Sequence, residues 1–394
     1  MDTLFQIDNE TEQFSKRDYI YITGLVILSF LLRVYRLNEQ SVWFDEYVVI
    51  GNAKYCSIVD FLYLLYINSP DYGVSPASAF ILYYWINLFP EVDWFWRILP
   101  ITFGVLAIVI TYCLAKLLVG RRVALLTGLF FSLSPFNVWF HQELKCYAFI
   151  QFFALLSFWG LWKFLDSGGK NWRWFGVCFF SNMILPWFHA IYVLTPLFQV
   201  PLIIFSFRKI QLKKKVLWSI LLFQSIIPWA IWCIKVSPFL FNVMDVGERK
   251  INIQTLFYRL FGFDSVGASE ELIPEWKMNT TDIEKPILNF LVKNIFIFDY
   301  LIVISLVIAV VTFLMGLILE IKRTKGVNNE KAIFIALSFL VPVTILLAVG
   351  VIMRKPVFHP LYTFHSLIFI YIMVSAVILK IKPKIISYVL ICIL

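Results

Sequence analysis

The chain has 394 residues, of which 60% are apolar, 18% aromatic and 15% charged, and its mean hydropathy is +0.81. That balance excludes a soluble globular or disordered protein and reads as membrane from end to end. The six cysteines show no CxxC or Cys/His ligand spacing, so neither a disulfide framework nor a zinc ribbon is expected. The net charge of +9 suggests nucleic acid only until its distribution is examined.

A helix crosses the hydrocarbon core with about 20 apolar residues. Ten uncharged runs qualify: Tyr19 to Leu37, Arg97 to Val119, Val123 to Phe140, Cys146 to Leu165, Trp174 to Trp187, Ala190 to Phe207, Val216 to Ile234, Ile295 to Leu319, Ala332 to Met353 and Leu361 to Leu379. The fifth is short and interrupted by Pro186, and is expected to tilt or to fuse with its neighbour. Ile385 to Leu394 is too short to span alone; it is either an interfacial stub or the start of an eleventh helix.

The first run lacks a small-residue cleavage site and is expected to be a retained anchor with a cytoplasmic amino terminus. With that orientation, 20 of the 34 Lys and Arg fall in cytoplasmic segments, against 8 of the 25 acids. This is the positive-inside pattern, so the basic excess sets orientation and no nucleic-acid partner is expected.

Two outer segments are long enough to carry chemistry, Asn38 to Trp96 and Ser237 to Asn294. In the first, Phe44 to Cys56 and Ala77 to Leu88 mix apolar and polar residues at helical spacing, which predicts interfacial helices. It also holds the adjacent acids Asp45 and Glu46, in Trp43-Phe44-Asp45-Glu46-Tyr47. These fit either a helix start that complements the dipole or a catalytic carboxylate at the water boundary. The short outer turn Ser134 to Tyr147 brings His141, Glu143 and Lys145 within five residues, beside Tyr147. An interfacial ion pair with an aromatic-belt tyrosine is the bland alternative there, as snorkelling is for Arg97.

The four histidines, His141, His189, His359 and His365, all fall at or near outer ends of spans. A divalent metal held by some of them with Asp45, Glu46 or Glu143 is an open alternative, although no HxH or HExxH spacing supports it. Away from their ends the spans hold essentially no ionisable residue, which argues against ion-coupled transport.

Taken in order, Leu32-Arg33, Trp43-Phe44-Asp45-Glu46, Ser75-Pro76 before Tyr83-Tyr84, Trp96-Arg97-Ile98-Leu99-Pro100, Gly120-Arg121-Arg122, and Ser134-Pro135 through Gln142-Glu143-Leu144-Lys145-Cys146-Tyr147 resemble a known family. It is the GT-C class of polyprenyl-phosphate-sugar-dependent membrane glycosyltransferases, in particular its protein O-mannosyltransferase-like and aminoarabinose-transferase-like members. The resemblance runs over about the first 200 residues. It implies a single all-α polytopic domain over 1–394, a GT-C-like bundle of about 10 to 11 transmembrane helices with interfacial helices in the first outer loop (38–96) and a second large outer loop (237–294). It further implies sugar transfer from a polyprenyl-phosphate carrier to a glycan, lipid or protein acceptor on the extracytoplasmic face. The membrane would be the plasma (inner) membrane in a bacterium or the ER membrane in a eukaryote.

By motif position the catalytic carboxylate falls on Asp45, with Glu46 beside it. The later turn matches at Glu143 and Tyr147 but has Lys145 where the family has Arg, and His359-Pro360-Leu361-Tyr362 keeps the Tyr of an Arg-Tyr pair with Leu in the Arg position. Asp45 would take the acceptor proton as general base, worth about 10² to 10⁴-fold. Arg97, Lys145, Arg354, His359 and Tyr362 would hold the donor phosphate, whose charge grows as it leaves. Glu143, Tyr147, His141 and His189 would line the substrate. One carboxylate opposite the leaving group implies inversion, whereas a nucleophilic Glu143 would imply retention. A lipid-linked-sugar transporter or flippase, and a membrane scaffold without activity, are the competing readings.

Overall fold

The structure is a computed structural model describing residues 14–39, 42, 44–61, 63, 75–89, 93–207, 210–240, 330–353 and 365–380. The run Ile295 to Leu319, the tail from Ile385 and most of the second outer loop lie outside these residues. So do Arg354, His359 and Tyr362.

Helices carry the described fold: α1 (Lys16–Val34), α2 (Phe44–Tyr55), α3 (Ala77–Leu88), α4 (Asp93–Trp96), α5 (Ile98–Leu118), α6 (Arg121–Leu133), α7 (Pro135–Gln142), α8 (Tyr147–Asp166) and α9 (Trp172–Phe188). After a 3₁₀ turn at Ala190–Leu194 come α10 (Thr195–Phe205), α11 (Leu212–Phe223), α12 (Ile227–Leu240), α13 (Glu330–Met353) and α14 (Leu367–Ile378). Among the described residues, Trp94–Leu118, Tyr147–Asp166 and Leu212–Ile234 are long and apolar enough to cross a membrane as single helices. The chain is a multi-pass membrane protein. The two regions expected to form interfacial helices in the first outer loop are α2 and α3, which pack on each other; Tyr83 and Asn87 of α3 donate to the carbonyls of Cys56 and Ala53 at 3.2 and 2.8 Å.

The run Val123 to Phe140, expected as one span, is instead two helices bent by 58°. Ser134 precedes a proline, whose ring disfavours helical ψ in the residue before it, and Ser134 sits at ψ 117°. Pro135 then starts α7, where a missing N–H costs nothing, and the Ser134 hydroxyl caps Asn137 N–H at 3.4 Å. The break turns α7 against α1 and α5. Pro186, by contrast, is accommodated inside α9 without ending it.

The centre of the bundle is α8, packed on α5 and α9. Gly160 makes the α8–α9 approach possible, since a Cβ there would lie 2.9 Å from both Cys178 N and Trp174 O. Polar groups tie α8 and α9 to each other and to α10. The Ser157 hydroxyl donates to Asn182 Oδ1 at 2.7 Å, Asn182 Nδ2 to Gln199 Oε1 at 2.8 Å, and Gln199 Nε2 back to Ser157 at 2.7 Å. At the opposite end from α7, the buried carboxylate of Asp18 accepts from Tyr112 (2.8 Å), Lys116 (3.0 Å) and Arg121 (2.9 Å), fastening α1 to α5 and α6. Asp18 also closes a capping box with Ser15, which fixes where α1 begins.

Candidate active site

Glu46 of the 38–96 segment and the turn that carries Glu143, almost a hundred residues apart in the chain, meet in space. Glu46 lies in the first turn of α2, and the packing of Val49, Ala53 and Leu82 in the α2–α3 layer holds it fully buried. Its Oε2 receives Arg97 Nη2 at 3.0 Å, and its Oε1 receives the backbone N–H of Leu144 at 2.7 Å. Arg97 caps the start of α5 and is itself buried. The ion pair thus joins three elements: the interfacial layer, the first turn of a spanning helix, and the turn between α7 and α8.

Glu143 follows α7 and stands in the same turn. Trp139, one helical turn earlier, donates its indole N–H to Glu143 Oε1 at 2.8 Å, while Oε2 is enclosed with no hydrogen-bond partner. Burial pushes the Glu143 carboxyl up to about 7; Lys145 opposes that rise and the charge of Glu46 adds to it. The site therefore sets a carboxylate locked by an arginine next to a carboxyl that exchanges its proton near neutrality. Paired acids with divergent environments suit division into fixed and proton-exchanging roles.

Asp45 occupies the same first turn of α2, next to Glu46 in the chain; its side chain lies outside the described residues. Lys145 holds its ammonium 5.6 Å from the centre of the Tyr147 ring, and that ring packs edge-on against Phe140. His141 is completely buried behind the turn, with Nδ1 accepting from Arg33 and Nε2 bonded to Gln151. His189 caps the 3₁₀ turn after α9, its Nδ1 accepting Ile191 N–H at 3.3 Å. His365 is buried and enclosed by Phe158, Tyr192 and Phe198. No group of three or more His, Cys, Asp or Glu side chains positioned to hold a metal occurs among the described residues.

Sequence reasoning quoted Arg33 only within the Leu32-Arg33 string and gave no role to it, to Gln151 or to Asn137, which stand behind the turn. Arg33 has a legible signal, a cation inside an otherwise apolar helix end. Gln151 and Asn137 have none, being ordinary amides until the fold buries them.

Residues 73–232, about two-fifths of the chain, match the family model described as Dolichyl-phosphate-mannose-protein mannosyltransferase. The match takes in Arg97, Glu143, Lys145 and Tyr147 and begins after Asp45 and Glu46. Comparison with curated proteins finds no match. Among solved structures, ArnT from Cupriavidus metallidurans in the apo state is similar over 91% of this chain and 76% of its own, with 14% identity and a TM-score of 0.39. Over residues 73–232 the chain is thus similar to that mannosyltransferase family.

Proposed function

We propose that the chain transfers a sugar from a polyprenyl-phosphate carrier to a glycan, lipid or protein acceptor at the outer face of the membrane. The observation that carries this reading is the Leu144–Glu46–Arg97 junction, which brings the two acidic motifs of the sequence to one place where α2 meets the start of α5. The family match over 73–232 supports the reaction class.

Asp45 serves as general base, taking the acceptor proton while the anomeric carbon exchanges the phosphate oxygen for the acceptor oxygen with inversion. Glu46, held by Arg97 and Leu144, orients the first turn of α2 and with it Asp45. Glu143 exchanges its proton in the same site. Lys145 contributes positive charge toward the departing phosphate, as a point charge rather than the two-pronged fork an arginine offers. Mannose is the first sugar to test, because the matched family model is named for it.

The test is direct. Protein in lipid nanodiscs is given polyprenyl-phosphate mannose and, separately, polyprenyl-phosphate aminoarabinose, with peptide and lipid acceptors, and released polyprenyl phosphate is measured. Transfer should be lost by at least about 10²-fold in Asp45→Asn, with resistance to unfolding unchanged. Full turnover in Asp45→Asn removes the proposed base. Movement of the carrier across liposomes without covalent transfer would favour the flippase reading.

A further inference from the structure

Arg33, in the last turn of α1, has a fully buried guanidinium, and its described hydrogen bonds go to no carboxylate. Nη1 donates to the Ser29 carbonyl at 3.1 Å and to the Ser29 hydroxyl, Nε donates to His141 Nδ1 at 2.9 Å, and Nη2 has no partner. A buried cation facing neutral acceptors is costly, and leucine would pack in a helix end at no such cost.

The chemistry of these donors fixes the direction of the network. An arginine Nε–H can only donate, so His141 Nδ1 must present its lone pair, and the ring is neutral with its proton on Nε2. That Nε2–H donates to Gln151 Oε1, which leaves Gln151 Nε2 to donate to Asn137 Oδ1 at 3.0 Å. From the same turn, Gln142 Nε2 donates to the Arg33 carbonyl at 2.8 Å. Gly104 of α5 leaves the space in which the ring sits, since a Cβ there would overlap His141 Nδ1. The chain of bonds links α1, α7 and α8 and ends two residues before Leu144, whose N–H holds Glu46.

We propose that Arg33 is a positioning residue for the candidate active site: through the Nε2–H tautomer of His141 it clamps the α7–α8 turn that brings Leu144 and Glu143 to Glu46 and Arg97. Its kinetic consequence rests on the glycosyltransferase reading, whereas the tautomer rests on geometry alone.

Two measurements separate them. Nitrogen-15 NMR of histidine-labelled full-length protein in nanodiscs, with His141 assigned by the His141→Gln difference, should show a bare Nδ1 and a protonated Nε2. That signature should be lost in Arg33→Met and in Gly104→Ala, which displaces the ring while keeping the charge, and kept in Arg33→Lys. In the second, release of polyprenyl phosphate from polyprenyl-phosphate mannose should show kcat reduced about 10²-fold in Arg33→Met, the loss expected of a misplacement of about 1 Å. KM for the donor should stay within about twofold, and Arg33→Lys should recover most of the rate. A protonated Nδ1 in the parent protein, a His141 signal indifferent to Arg33→Met and Gly104→Ala, or equal kinetic losses in Arg33→Met and Arg33→Lys would each overturn the proposal. A parent protein that releases nothing from this lipid counts against the mannose-transfer reading alone, and the NMR result then decides the clamp. If Arg33→Met does not fold, Gly104→Ala supplies both readouts.

Discussion

Removing Arg97 from Glu46 tests the junction on which the site is built. At 3.0 Å and an effective dielectric of about 20, the direct attraction of the two charges is about 5 to 6 kcal/mol. Most of that is offset by taking both ions out of water, since neither side chain is more than 3% exposed. Arg97→Met leaves the carboxylate buried with its Leu144 bond but without the charge that balances it, and should cost about 3 to 5 kcal/mol. Glu46→Gln should cost less, because the amide oxygen can still accept one bond. The double variant Glu46→Gln/Arg97→Met should recover much of the loss, giving a coupling energy of about 1 to 3 kcal/mol, as expected of groups in direct contact. The assay is SDS-driven unfolding in mixed micelles followed by tryptophan fluorescence, with transfer measured on the same samples. Transfer should fail in the double variant even where stability returns, because α2 is no longer oriented from α5. Additive losses with no coupling would refute the buried pair, and full transfer in the stable double variant would refute its orienting role.

Four further outcomes follow from the same geometry. With its folded pKa raised to about 7 from an ordinary 4.5, Glu143 imposes no cost below the unfolded value and a growing one as pH rises through 7; unfolding resistance should therefore fall between pH 5 and pH 8 by up to about 3 kcal/mol, and Glu143→Gln should flatten that profile. Asp18→Asn removes the charge shared by Lys116 and Arg121 at the other end of α1, so it should destabilise by about 3 to 5 kcal/mol in the unfolding assay while KM for the donor is unchanged. Gly160→Ala places a methyl against the backbone of α9 and should cost about 1 to 3 kcal/mol; a neutral result would mean the two helices stand farther apart. Asn182→Leu breaks the ring of bonds with Ser157 and Gln199 and should cost about 0.6 to 1.7 kcal/mol, the range measured for polar contacts between membrane helices.

Hydropathy located the strongly apolar elements within a few residues: Ile98–Leu118 and Tyr147–Asp166 fall almost on the runs read from sequence. It did so because a bilayer selects length and apolarity, both of which are written locally. The break between α6 and α7 was also legible, in Ser134-Pro135, but hydropathy overrode it and the segment reads as one span. Hydropathy averages over residues, whereas the proline acts on a single ψ angle.

The candidate site divides in the same way. The acids Asp45, Glu46 and Glu143 and the cation Arg97 stand out in the sequence, because charge at a membrane boundary is conspicuous. Their partners do not. Arg97, expected at the donor phosphate from the family resemblance, lies on Glu46; His141, expected from the same resemblance to line the substrate, lies enclosed between Arg33 and Gln151. The sequence alone determined the membrane character, the positions of the main helices and the set of ionisable groups at their ends, since each depends on a residue and its near neighbours. Only the tertiary structure decided which charge faces which, because pairing depends on where α1, α2, α5 and the α7–α8 turn are brought by packing, and burial, which sets the Glu143 proton, is a property of that packing and not of any segment.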